Sequence, residues 1–235
     1  MKENRAIKNA LQNYNENELI FASRLYKDEL YGKTHEAAYY KALERMCKSG
    51  ELVRIAKGIY HLPKISRYGI VPPSESEIVS AFTENGKGTV IGYSLYNSLN
   101  LTTQIPRTIN VLSSAIDSFS KSVRNIVVHK SLLDYTKPVE NMVRGLEVLQ
   151  NFTSIQDISY SAFIEFARDF SSQYNDEVFE KVIAAQSYKK STIAFMREIL
   201  EFYGVNNRLD RHLSALSEYK HPRMEEIYEA AQIDR

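Results

Sequence analysis

The sequence predicts an α+β protein, mostly helical, that begins with a winged helix-turn-helix and ends in an all-helical C-terminal part. Three observations predict this class. Three helical patterns precede a short β-hairpin, the middle segment mixes α and β patterns, and helical periodicity dominates from about residue 143. The expected domains are a winged helix at residues 1–67 and an α-rich effector domain at residues 74–235, with a small β element around 88–130.

The first two helices are predicted from apolar residues at helical spacing. One spans roughly Glu3–Gln12 and is followed by the polar break Asn13–Asn17. The other runs from about Leu19 to Tyr26 or slightly beyond, and Gly32 then stops or turns the chain.

The third helix is predicted between an N-cap at Thr34 and a left-handed C′ residue at Gly50. After Gly50 the period becomes strand-like, and residues 52–55 and 59–62 flank a compact turn that contains Gly58. Three helices followed by a two-stranded hairpin is the layout of a winged helix.

The formal net charge of +1 conceals a division between the two parts of the chain. Residues 1–67 hold thirteen basic and eight acidic residues, a net charge of +5, so the remainder carries −4. A basic first third on an acidic body is typical of a polyanion-binding head with a protein-facing body.

Both the third helix and the hairpin are expected to present positive charge to duplex DNA. The residues predicted to bind DNA are Lys33, Thr34, His35, Tyr40, Lys41, Arg45, Lys48, Arg54 and Lys57. Thr34, His35, Tyr40 and Lys41 would meet base edges or phosphates, Arg45 and Lys48 the DNA backbone, and Arg54 and Lys57, at the hairpin tip, the phosphates. The alternatives are a solvated or protein-binding face on the helix, and a hairpin whose charges serve only solubility.

The rest of the chain is predicted in outline. Residues Lys64–Ser76 form a linker, because they contain Gly69 and the pair Pro72-Pro73. The elements that follow are a helix at Glu75–Asn85, a strand at Gly88–Tyr93, a helix at Ser94–Asn100, strands at Thr108–Ser113 and Arg124–Lys130, and helices near 143–152, 160–172, 176–186, 189–203, 208–218 and 223–232.

The sequence does not favour an enzyme. The five histidines have no metal-ligand spacing, and the Gly-x-Ser-x-Gly and GxGxxG motifs are absent. Cys47 is expected to be a small core residue, and no cofactor, metal site or catalytic residue is predicted. The single cysteine and the lack of an apolar run of roughly 18–20 residues predict a cytoplasmic protein with no membrane partner.

Two stretches resemble the AbiEi-like antitoxins. Residues 43–60, LERMCKSGELVRIAKGIY, resemble the winged-helix segment of that family, roughly Leu-x-Arg-Leu-x-x-x-Gly-x-Leu-x-Arg-x-x-x-Gly-x-Tyr, with Met46 where leucine is usual. Residues 92–106, GYSLYNSLNLTTQIP, are similar to the element ALN-LGLTTQVP that follows it, with Asn100 in place of a glycine. The C-terminal helices resemble the family only in being helical.

The resemblance implies a cytoplasmic antitoxin of a type IV, abortive-infection E system. Such proteins repress their own operon at inverted repeats, so double-stranded operator DNA is one expected partner. The other is a cognate nucleotidyltransferase-like toxin, counteracted with or without direct contact. This chain is not the toxin, since it lacks a Gly-Ser followed by Asp-x-Asp.

An inverted repeat would engage either a homodimer or two monomers that bind cooperatively. Two alternative functions stay open at this point. One is a stand-alone transcriptional regulator with a ligand-sensing or dimerising C-terminal domain, and the other is a winged helix used as a protein or RNA scaffold.

Overall fold

The protein is described by a computed structural model that covers residues 2–233, with side chains from residue 5 to residue 232. The chain divides into two compact units. Unit 1 comprises residues 1–81 and 122–126, and unit 2 comprises residues 82–121 and 127–235. The domain boundary expected at residues 67–74 therefore lies inside unit 1.

The mostly helical α+β class is confirmed. The helical share is 50% and the strand share 15%, and the described residues form ten α-helices, α1–α10, and three small sheets. Within residues 2–233, no helix is both long and apolar enough to cross a membrane.

Unit 1 has the topology of a winged helix, as the sequence predicts. Its elements are α1 Lys2–Leu11, β1 Ile20–Phe21, α2 Ala22–Leu25 with a π-helical turn Tyr26–Leu30, α3 Glu36–Ser49, β2 Val53–Ala56 and β3 Ile59–His61. The strands form an antiparallel sheet in the order β1-β3-β2. We call β2, β3 and the turn between them, residues 53–61, the wing.

The core of unit 1 fixes the orientation of α3. Tyr39, Ala42 and Leu43 are buried on one face of this helix, at the three- and four-residue spacing that places side chains together. The Tyr39 hydroxyl donates a 3.0 Å hydrogen bond to the carbonyl oxygen of Ala22, and burial raises the pKa of this phenol. The opposite face of α3 is therefore held toward solvent.

The expected N-cap of α3 is wrong. The helix begins at Glu36, and the N-cap is His35, whose backbone is extended. Thr34 is buried, and its hydroxyl lies 3.5 Å from the carbonyl oxygen of Leu30 in the preceding turn. A side chain that turns back in this way cannot cap the helix that follows.

The second predicted helix begins three residues later than expected. Ile20 and Phe21 form β1, which pairs with Tyr60 and Ile59 of β3, and α2 begins at Ala22. Helical spacing of apolar residues does not exclude a short strand when a β-branched and an aromatic residue can complete a sheet.

The linker expected at Lys64–Ser76 is wrong in its first half. Lys64–Ser66 and Gly69–Val71 form an antiparallel hairpin, β4 and β5, in which Ile65 pairs with Ile70. Gly69 has a φ of +107°, a conformation that L residues rarely adopt, and it allows the tight turn. We call residues 64–71 the second hairpin.

Unit 2 combines a four-stranded sheet with a helical body. The sheet has the order β6-β7-β9-β8. The remaining elements are α4 Glu75–Thr83, which crosses the boundary of the units, β6 Gly88–Ile91, α5 Tyr93–Ser98, β7 Ile109–Ser113, β8 Ser120–Val123, β9 Ile126–Lys130, α6 Lys137–Asn151, α7 Tyr160–Ser172, α8 Asp176–Ala185, α9 Lys190–Phe202 and α10 Met224–Ile233.

Three predictions in this region are corrected. The strand expected at Arg124–Lys130 begins at Ile126, because Arg124 has a φ of +56° and belongs to the turn after β8, a strand that the sequence did not predict. Helix α6 begins at Lys137, ahead of the expected residue 143, with proline in its first turn. The helix expected at 208–218 is only a 3₁₀ turn, Leu209–His212, since Leu216 is fully exposed and no apolar stripe is buried.

Gly145 lies in the interior of α6 against the ring of Phe170. A Cβ at this position would lie 2.5 Å from Cδ2 and 2.7 Å from Cζ of that ring. Alanine would gain about 1 kcal/mol of helix propensity, but overpacking a core costs about 1–3 kcal/mol. We therefore expect Gly145→Ala to lower the free energy of unfolding, measured by urea denaturation.

A second-site variant tests this cause. Phe170→Leu removes the ring. The double variant should therefore lose less free energy of unfolding than the sum of the losses in the two single variants. Additive effects would show that the ring does not limit the space at Gly145.

Candidate nucleic-acid interface

Three basic residues lie along the exposed face of α3. Lys41, Arg45 and Lys48 are four and three residues apart and are all exposed, opposite the buried Leu43. Ala37 extends the same face by one turn toward the N-terminus and leaves room for a close approach. We call Lys41, Arg45 and Lys48 the cationic stripe.

The stripe is only weakly engaged within the protein. The Arg45 Nε donates to the carbonyl oxygen of Lys41 at 3.3 Å, and the Lys48 Nζ lies 2.8 Å from the Oε1 of Glu44. The hydrogen bond from Lys48 lowers the pKa of the Glu44 carboxyl. Because both partners of that ion pair are largely exposed, it stabilises the fold little and can be exchanged for another anion.

The N-terminal end of α3 carries the remaining predicted residues. Lys33 and His35 are exposed, and Tyr40 is partly exposed with its ring 5.1 Å from that of Tyr39. Thr34 is the exception, since its side chain is buried and the Tyr26 hydroxyl binds its carbonyl oxygen. Its predicted role in DNA contact is therefore corrected to a structural one in the helix-helix turn.

The two basic residues of the wing lie at different positions. Lys57 is in the turn between β2 and β3, as predicted, and is exposed. Arg54 is not at the tip, because it pairs with Tyr60 in the ladder, and a register shift separates it from Ala56. Burial raises the pKa values of Tyr60 and Cys47. The positive charge of the Arg54 guanidinium has a smaller effect on both groups, in the opposite direction.

Arg54 therefore lies near α3, which contains Cys47, as well as on the wing. The exposed groups of the wing and the cationic stripe belong to one compact unit.

A family model matches residues 6–156, which is more than half of the chain, and describes a family of unknown function, DUF6088. This protein belongs to the DUF6088 family. No curated protein matches the sequence. Among solved structures, the Rv2827c protein of Mycobacterium tuberculosis is similar at 12% identity and a TM-score of 0.40, over 86% of this chain and 76% of that one. So distant a likeness carries no conclusion about function.

The second resembling stretch of this DUF6088 protein, residues 92–106, forms α5 and a tightly bonded loop. Asn100 has a φ of +57°, so asparagine provides the left-handed conformation for which glycine is usual. Thr102 is buried, and its hydroxyl donates to the carbonyl oxygen of Gln156 at 2.7 Å. The Glu147 carboxylate, which has a pKa raised by burial, accepts from the Tyr96 hydroxyl at 3.0 Å. These contacts assign a structural role to most of the stretch.

Sequence reasoning missed one exposed aromatic residue near α3. Tyr31 lies in the turn between α2 and α3, is 76% exposed and contacts Tyr26 edge-on at 6.3 Å. The signal in the sequence was its position directly before the turn residue Gly32, because connecting segments run over the protein surface.

Two of the histidines and the cysteine of this DUF6088 protein have local structural contacts. His61 is buried, with Nδ1 3.0 Å from the carbonyl oxygen of Leu62, and the His212 Nε2 lies 2.7 Å from the Oε1 of Glu180. Cys47 is half-buried, and burial raises the pKa of its thiol.

Proposed function

We propose that this DUF6088 protein is a DNA-binding repressor that places α3 in the major groove of its operator. The observation that carries the proposal is the cationic stripe on a helix whose opposite face is fixed in the core. A major groove of about 12 Å admits one α-helix, and helix-turn-helix proteins place their recognition helix there. Arg54 and Lys57 would then meet the phosphates of the backbone.

A fluorescence-anisotropy titration tests DNA binding. The full chain is titrated into duplex DNA from upstream of its own gene, at near-physiological salt, beside a scrambled duplex of equal length. Preferential binding to the upstream duplex supports the proposal. Equal and weak binding to both, or preference for structured RNA at matched salt, would contradict it, because phosphate contacts alone carry no sequence information.

We further propose that the protein is a cytoplasmic antitoxin that counteracts a nucleotidyltransferase-like toxin. The resemblance of residues 43–60 and 92–106 to AbiEi-like antitoxins supports this role. Co-expression with a nucleotidyltransferase-like protein encoded beside its gene should restore the growth that the toxin alone prevents. Failure of rescue at every expression level would contradict the antitoxin role and leave the repressor standing.

One observation favours the alternative of a regulator with a ligand-sensing second part. Unit 2 has an open cleft of about 350 Å³ between α6 and α7, lined by both apolar and charged groups that include Arg144, Glu165 and Phe166. A small metabolite that raises the melting temperature and alters operator affinity would favour this function over toxin neutralisation.

The proposal predicts that removing a negative charge beside the stripe strengthens DNA binding. Glu44 is exposed on α3 and forms an ion pair with Lys48. Glu44→Gln should increase operator affinity by about threefold, because one repulsive charge is lost and Lys48 becomes available to phosphate. Anisotropy at two salt concentrations measures the change. Unchanged or weaker binding would show that this face of α3 does not approach DNA.

A further inference from the structure

The second hairpin is an exposed two-stranded ribbon. Its strands β4 and β5 pair with each other, and no other strand of the described chain joins their sheet. The side chains of Ile65, Tyr68 and Ile70 are 76%, 85% and 55% exposed. Ile65 and Ile70 are directly paired, so they lie on one face of the ribbon.

Such a ribbon is marginally stable in water by itself. Two strands without a covering layer bury too little apolar surface for independent stability. An exposed isoleucine pair with a neighbouring tyrosine therefore indicates a surface that a partner covers.

The charge of the segment indicates the chemistry of that partner. From residue 52 to residue 74 the chain contains four Lys or Arg residues and no Asp or Glu. These residues are Arg54, Lys57, Lys64 and Arg67. Because only Leu62 and Pro63 separate the wing from the second hairpin, the two ribbons form one basic segment that complements a polyanion.

The turn of the second hairpin presents a preformed basic and aromatic tip. The Arg67 guanidinium lies 4.6 Å from the centre of the Tyr68 ring. The Ser66 hydroxyl accepts from the Tyr68 backbone N–H at 3.1 Å and donates to the carbonyl oxygen of Gly69 at 3.0 Å, which closes the turn. Arginine side chains enter narrow minor grooves, and apolar or aromatic groups contact the sugars and bases there.

We propose that the second hairpin is an additional DNA-binding arm, with Arg67 and Tyr68 contacting the groove beside the site that α3 occupies. This inference rests on the proposed function, since it extends the same protein–DNA interface. The arm would add phosphate and minor-groove contacts and lengthen the bound site by several base pairs.

The absence of tryptophan from the chain provides a direct probe. Tyr68→Trp places a single tryptophan at the tip, where the exposed side chain can be exchanged without disturbing a core. Titration with operator duplex should quench or shift its emission. Leu216→Trp, at a 99% exposed position in unit 2, is the matched control and should not respond.

Arg67→Gln gives a second readout on the full chain. We expect operator affinity to fall on the order of fivefold and the slope of log affinity against log salt to decrease by about 0.9. The DNase footprint should shorten at its ends.

The outcomes separate this inference from the proposed function. If wild-type protein does not prefer its operator, the proposed function fails. If it does, but the tryptophan at position 68 is silent and Arg67→Gln binds like wild type, only the DNA-binding arm is wrong. The inference is also wrong if the wild-type protein is a dimer in solution and Arg67→Gln is a monomer with unchanged affinity per site, because the ribbon would then contact a second copy of the chain.

Discussion

Replacement of both Lys41 and Arg45 by alanine is expected to lower operator affinity by about 30-fold or more. Each charge-assisted contact to a base or phosphate contributes about 1–3 kcal/mol, and 1.4 kcal/mol corresponds to a factor of ten. Anisotropy titration of the full-length variant measures this loss. The salt slope should decrease by about 1.8 in the same experiment if both residues meet phosphates.

The loss should occur without unfolding. Both side chains are exposed. Within α3, the Arg45 side chain donates a hydrogen bond to the carbonyl oxygen of Lys41, which is a backbone atom that the alanine variant keeps. Alanine is the best helix former, so the free energy of unfolding should stay within about 0.5 kcal/mol of wild type.

A matched control separates a local contact from a general charge effect. Lys181→Ala combined with Lys189→Ala removes the same charge from exposed positions in unit 2. If this control loses as much affinity as the α3 variant, binding depends on net charge, and our placement of the interface on α3 is wrong.

The winged helix was predictable because its signals are local. The apolar positions of α3 recur at helical spacing, and Gly50 ends the helix with a φ of +79°. The same periodicity gave the exposed positions of the cationic stripe, since one buried face fixes the other. Strand β1 was not predictable in this way, because its two residues are extended only by pairing with β3, almost forty residues later.

The errors in the site arise where one residue type supports two local structures. Threonine is suited both to an N-cap and to a bond with a preceding carbonyl, and Thr34 makes the second. Arg54 was assigned to the wing tip because a register shift between Arg54 and Ala56 leaves no mark in the sequence. Gly69 was interpreted as part of a linker, although it serves the turn of the second hairpin.

Gly88→Ala is expected to have the largest effect on stability. A Cβ at Gly88 would lie far inside van der Waals contact of the carbonyl oxygen of Leu112 and 2.6 Å from that of Phe82. Gly88 pairs with Ser113 in the β6–β7 ladder, and the Ser113 hydroxyl donates to the same Phe82 oxygen at 2.6 Å. We expect the free energy of unfolding to fall by about 3 kcal/mol or more, because backbone atoms cannot move aside as a side chain can.

Gly204→Ala is the control that separates crowding from backbone strain. Gly204 has a φ of +70°, but a Cβ there would meet no atom within 4 Å, so the change should cost only about 1–2 kcal/mol. Urea denaturation followed by circular dichroism compares the two variants. A loss at Gly88 no greater than that at Gly204 would mean that β6 can move away from β7. Crowding by the two carbonyl oxygens would then not be what requires glycine at the start of β6.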